Sequence, residues 1–169
     1  MIGAKRIVII LLAALMLEGC VMTDQEENKI KESPSLKEYA TEQSEYIMEC
    51  IVNKDKEGLK SVFSKNIAET HDLDKEIDEF FDFIDGEIIS YDEPEGHEGG
   101  YAMKDGEYTD KKLYGWTENV ISDTGKEYDI NFLMYEIYTS NEKNIGVKRI
   151  TITDKTDGND EKKHIGEIG

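Results

Sequence analysis

The spacing of apolar residues changes once along this chain, at Gly86, and that change decides what the chain can fold into. Before Gly86 apolar side chains recur at the 3.6-residue period of a helix, and after it they alternate at the period of a strand. A chain with helices in one block and strands in another does not read as interleaved βαβ units. The class it predicts is α+β, with the helices on one face of an antiparallel sheet.

In the helical block, Ser35-Leu36-Lys37-Glu38 after Pro34 is a capping-box pattern. Leu36, Ala40, Gln43, Ile47, Cys50 and Ile51 continue it as one apolar stripe, which predicts a helix from about residue 35 to 52. Leu59, Val62, Phe63 and Ile67 predict a second, short helix. Asp72 caps a third, with Leu73, Ile77, Phe80, Phe81 and Ile84 inward and Gly86 placed to end it. Its opposite face carries Glu76, Asp78, Glu79 and Asp82, which reads as a solvated face.

The strand block predicts four strands. Glu87–Tyr91 is the first, and residues 92–107 read as a long Gly-rich connection. Leu113–Ser122 is the second, with Tyr114, Trp116, Glu118 and Val120 on one face. Asp123-Thr124-Gly125-Lys126 turns it into the third, where Tyr128, Ile130, Phe132 and Met134 alternate with Asp129, Asn131, Leu133 and Tyr135. A turn at 141–144 leads to the fourth, Val147–Thr153, whose alternation slips between Val147 and Ile150 and so predicts a bulge near Lys148-Arg149. Residues 155–169 read as a charged tail with at most a short final pairing.

The first twenty residues carry an address. Lys5 and Arg6 form a basic n-region, and Ile7 to Leu17 is an apolar run of eleven residues, too short for a hydrocarbon core that needs about 20 helical residues. Leu17-Glu18-Gly19-Cys20 resembles the lipobox of bacterial lipoproteins, although Glu18 stands where a small or apolar residue is preferred. The expectation is a signal peptide over 1–19, lipid on Cys20, a tether over 20–33, one domain over 34–154 and the tail. Ordinary secretion and an uncleaved anchor are the other readings.

Charge excludes some partners. The formal charge is −18, and removal of 1–19 takes away two cations and one carboxylate and leaves −19. Such a surface repels nucleic acid and anionic lipid head groups alike, so membrane attachment would be covalent, through Cys20. With Cys20 lipidated, Cys50 has no disulfide partner and reads as a buried structural thiol.

The segments SVFSKNIAE (61–69), DLDKEIDEFFDFIDGEIISYDEPEG (72–96) and ISDTGKEYDINFLMYE (121–136) resemble a family of short lipid-anchored proteins of Gram-positive bacteria that are themselves uncharacterised. The resemblance spans roughly residues 35–154. It implies an NTF2-like, or cystatin-like, cone: three N-terminal helices on a curved four-stranded antiparallel sheet. It implies no activity.

Candidate chemistry is sparse. Asp92, Glu93, Glu95, His97 and Glu98 crowd one acidic loop, but their spacing matches no known metal cage. Residues 153–160 fail the EF-hand pattern, because Thr153 and Lys155 fall where acids are required. His71, His97 and His164 fall in loops, helix ends or the tail, so no acid–base pair is visible for catalysis. No catalytic residue, metal or cofactor is therefore assigned. Arg149 is the only arginine after processing; it could hold a carboxylate bidentately, or pair internally with an acid such as Glu136, and the internal pair is the favoured reading. Tyr114, Trp116 and Tyr135 could line a pocket with it or simply pack across strands. The expectation is a lipid-anchored, extracytoplasmic binding or interaction module for a protein or small molecule. Its alternative is a small-molecule isomerase, dehydratase or hydrolase using the cone cavity, and a homodimer through the sheet stays open.

Overall fold

The computed structural model describes residues 35–158 and 160–167; the proposed signal peptide, the lipid site Cys20 and the tether fall outside them. Its helices come first and its strands second. Helix α1 runs over Leu36–Val52, and Ser35 closes the capping box with Glu38 from both sides. Two short helices follow, α2 (Lys56–Ser61) and α3 (Lys65–Thr70), capped by Asp55 and Ser64. The single helix expected over Leu59–Ile67 is split because the Ser64 hydroxyl accepts from Ile67 N–H and starts a new turn. Phe63 lies between them and forms a bridge to Val147. Helix α4 (Leu73–Phe83) is capped by Asp72.

The strands are β1 (Ile88–Ser90), β2 (Glu95–Lys104), β3 (Glu107–Ser122), β4 (Glu127–Tyr138), β5 (Gly146–Asp154) and β6 (Lys162–Gly166). They form one six-stranded sheet, its pairings all antiparallel, in the order β1-β3-β4-β5-β6, with β2 also on β3. The α+β class stands, but the described residues hold four helices and six strands rather than three and four. Both extra strands are sequence segments without a clear apolar alternation. Residues 92–107 contain β2, whose Gly96 approaches α1 so closely that a Cβ there would overlap the backbone of Ala40 and Thr41. The charged tail contains β6, where the apolar residue Ile165 is fully buried.

The helices cover one face. Tyr128, Ile130, Phe132 and Met134 of β4, Ile150 and Ile152 of β5, and Leu113 of β3 are buried there against Ile47, Ile51, Leu59, Ile67, Ile77 and Phe80. Large side chains fill the space between the layers, and Tyr128 satisfies its hydroxyl by accepting from Asp85 N–H at 2.9 Å. Cys50 is buried and free, and burial pushes its thiol pKa up.

Two bulges set which side chains face away from the helices. In β5 the pairing passes from Leu133–Arg149 to Met134–Val147, leaving Lys148 as the extra residue, at the slip seen in the sequence. Lys148 is buried, with Asn144 Oδ1 at 2.9 Å and the Glu167 carboxylate at 2.9 Å. In β3 the pairing passes from Thr117–Ile130 to Val120–Tyr128, with Asn119 at φ 51°. The four residues Tyr114, Trp116, Glu118 and Val120 therefore do not share a face: Val120 is fully buried while Tyr114 and Glu118 are exposed. No helix among the described residues is long and apolar enough to cross a membrane.

Candidate functional site

The face of the sheet away from the helices carries the side chains singled out from sequence. Two cross-strand rows define it. Tyr114, Leu133, Arg149 and Gly166 pair in succession on β3, β4, β5 and β6, and Trp116, Asn131, Thr151 and His164 pair in the next row. Their inward neighbours Gly115, Phe132, Ile150 and Ile165 are buried, so strand alternation places both rows outward.

β2 extends the face by one strand. His97 pairs with Tyr114, and its ring lies 4.2 Å from the Trp116 ring. Gly99 lets the Tyr114 ring lie against the β2 backbone, since a Cβ there would overlap that ring. On the other side Tyr135 pairs with Lys112, whose ammonium stands 5.5 Å over the phenol ring, and Tyr138 meets Tyr135 edge-on at 4.8 Å. Tyr135 beside it raises the Lys112 pKa. Tyr114, Trp116, Tyr135 and Arg149 thus lie on the same side of the sheet, but across three strands, with Leu133 between Tyr114 and Arg149. Tyr114 is exposed there, and Trp116, Tyr135 and Arg149 are partly buried.

The Arg149–Glu136 pair is absent. Arg149 aligns with Leu133 and the odd-numbered outward residues of β4, whereas Glu136 alternates to the other side. Among the described residues Arg149 has no ion-pair or side-chain hydrogen-bond partner. The acidic loop is also dispersed. Asp92 accepts from Asn119 Nδ2 at 2.6 Å, Gly96 is buried under α1, His97 turns to Trp116, and Glu98 lies 3.9 Å from Lys111. No group of three His, Cys, Asp or Glu side chains among the described residues is arranged to hold a metal.

Around the β6 edge the outward face turns into a cleft of about 290 Å³. It is lined by His71, Glu76 and Glu79 from the helical layer and by Lys162, Lys163, His164 and Gly166 from β6. Asp72 caps α4 and so sets His71 just before its first turn, with Glu76 within that turn. His71 Nδ1 lies 2.9 Å from Glu76 Oε1, and Glu76 Oε2 accepts from Gly166 N–H at 2.8 Å. Glu79 pairs with Lys163 and lies 3.7 Å from Lys75; the bond from Lys163 holds its pKa below the usual carboxylate range. His164 Nδ1 meets the Thr151 hydroxyl at 2.9 Å. Burial first, then the charges of Arg149 and Lys162, depress the His164 pKa, so its imidazole is neutral near pH 7.

Sequence reading placed His164 in a tail and missed Lys162, Lys163 and the His71–Glu76 contact. One signal was there. Lys-Lys-His-Ile-Gly carries an apolar residue, Ile165, beside two lysines, and lysine-rich, short strands are how sheets protect an edge.

Residues 45–155 match the model of a family described as a domain of unknown function, DUF5104, and the chain belongs to that family. No curated protein matches the chain.

Proposed function

We propose that this protein is a binding or interaction module, held by lipid on Cys20 at the extracytoplasmic face of a Gram-positive membrane, and that it meets its ligand on the helix-free face of an NTF2-like sheet. The basic n-region, the eleven-residue apolar run and the Gly19-Cys20 junction support the address. One observation carries the binding surface: the space between helices and sheet is packed with Phe80, Phe132, Tyr128, Ile47 and Met48, while Trp116, Tyr114, His97 and Arg149 stand on the opposite face. A ligand cavity in the usual cone position would need room where those side chains sit. Aromatic rings on one face with a guanidinium that has no partner among the described residues are a composition enriched in recognition surfaces.

A second reading, an acid–base enzyme, rests on the His71–Glu76 contact. A carboxylate fixed by Gly166 N–H and bonded to one imidazole nitrogen orients the ring as a general base requires. Among the described residues no nucleophile or oxyanion donor set accompanies it, so binding is preferred.

Two measurements in the native cells test this reading. Replacing Cys20 with Ala should release the protein from the membrane fraction; unchanged membrane association refutes the lipid anchor. A photo-crosslinking residue in place of Trp116 should give adducts that the same residue at the helix-face position Tyr46 does not. Adducts from position 46 alone refute the sheet-face surface.

A further inference from the structure

Two cations of the outward face stand together at its β6 corner. Arg149 and Lys162 flank His164 diagonally on β5 and along β6, since Arg149 pairs with Gly166, Thr151 with His164 and Thr153 with Lys162. Neither cation has an ion-pair partner among the described residues. The other lysines around the cleft are engaged: Lys163 and Lys75 at Glu79, and Lys155 at Asp160, 2.7 Å away. The carboxylates facing the cleft are engaged too. Both oxygens of Glu76 are taken, by His71 and by Gly166 N–H, and Glu79 lies between two lysines. A guanidinium and an ammonium thus stand open around a half-buried imidazole in a chain of formal charge −18.

Resting on the sheet-face reading above, we propose that Arg149, Lys162 and His164 form the subsite for an anionic group of the ligand, a carboxylate or a phosphate. Arg149 supplies a planar fork that matches two oxygens of either group, and Lys162 supplies a second charge from the neighbouring strand. His164 is anchored through Nδ1 by Thr151, which leaves Nε2 as its remaining polar atom. From there Trp116 lies along the same cross-strand row, three strands away, a distance of about 14 Å. The ligand class is therefore a molecule with an anionic group at one end and an apolar or ring-shaped face for Trp116 and Tyr114 at the other.

Charge coupling gives the site a signature. In the free protein, the positive charges of Arg149 and Lys162 oppose protonation of His164, with His71, Lys163, Glu76 and Glu79 as the other titratable groups around the cleft. An anion seated between them reverses that opposition, so it raises the His164 titration midpoint and binds more tightly as pH falls from 7 to 6.

The test follows the three histidine side chains of the full chain by NMR, with inorganic phosphate or malonate added at constant ionic strength. The expected result is an upward shift of the His164 midpoint with at least one of these anions, while His97, beside Trp116, stays in place. Phosphate acting alone points to a phosphoryl group, malonate alone to a carboxylate. Arg149→Gln and Lys162→Gln should each weaken the effect by about tenfold or more, at unchanged melting temperature. His164 moving no more than His97 with both anions, or moving equally in both Gln variants, overturns the subsite. That failure leaves the sheet-face reading to the Trp116 cross-links, and loss of those cross-links with an intact His164 response would sink the reading and keep the anion site.

Discussion

Replacing Phe80 with Ala is the sharpest perturbation of the fold that holds this face in place. Phe80 has 0% exposure at the centre of α4, and its ring meets the Phe81 ring edge-on at 6.3 Å. Withdrawing such a side chain from the core forfeits about 1.5–3 kcal/mol of burial. The ring contact adds about 0.5–1.5 kcal/mol. Unfilled space adds about 24 cal/mol per Å³, and the measured range for Phe→Ala in cores is about 3–5 kcal/mol. For a domain of this size each kcal/mol moves the melting point by about 3–5 °C, so Phe80→Ala should melt about 9–25 °C lower. Phe81 is only partly buried, and Phe81→Ala should lose less than half as much. The assay is thermal circular dichroism with urea titration, in which an unchanged slope shows that stability and not cooperativity has moved. A Phe80→Ala melt within 3 °C of wild type, or an equal loss at Phe81, refutes the packing of α4 against the sheet.

Two more outcomes follow from the geometry. Arg149→Lys should leave the melting temperature within about 2 °C, because Arg149 holds no structural partner among the described residues; a larger drop on thermal unfolding shows a pair the structure does not contain. Stability should fall in two stages as pH drops. The folded pKa of His164 lies below its ordinary value of 6.5, so the unfolded chain takes up that proton first: this contribution is full above about pH 6.5 and declines as pH falls through the folded value. The second stage comes below about pH 4.5, as Glu79 and Asp154, both held below their ordinary values, become protonated. Urea midpoints from pH 8 to 3 should show both stages in wild type and only the second in His164→Gln, and a first stage surviving in that variant contradicts the assignment.

How much was legible depended on whether an element hides its pattern. Capping chemistry is local, so Ser35 and Asp72 gave the starts of α1 and α4 directly, whereas α4 ends at Phe83 with Ile84 as its C-cap, before the expected glycine stop at Gly86. Strand β4 is covered on one face and open on the other, hence its clean alternation, and the β5 bulge at Lys148 showed as a break in such a pattern. β2 was illegible because its one buried residue, Gly96, is a glycine under α1, which leaves no apolar trace. β6 was illegible because an edge strand of five residues buries only Ile165 and Gly166, with Lys162 outward and Lys163 turned to Glu79. The candidate face was read in part. Tyr114, Trp116, Tyr135 and Arg149 do lie on the same side, but Arg149's neighbours depend on the β4–β5 and β5–β6 registers, which the spacing within one strand does not encode. His164 was lost for the same reason, since only the β5–β6 pairing brings it to Thr151 and Arg149.

Native mass spectrometry of the protein released from its own membranes tests the central claim most directly, because it asks what the helix-free face holds. Wild type should carry a co-purified ligand or partner that a Trp116→Ala, Arg149→Gln variant, folded by circular dichroism, has lost. The same adduct retained on that variant would contradict the placement of function on this face.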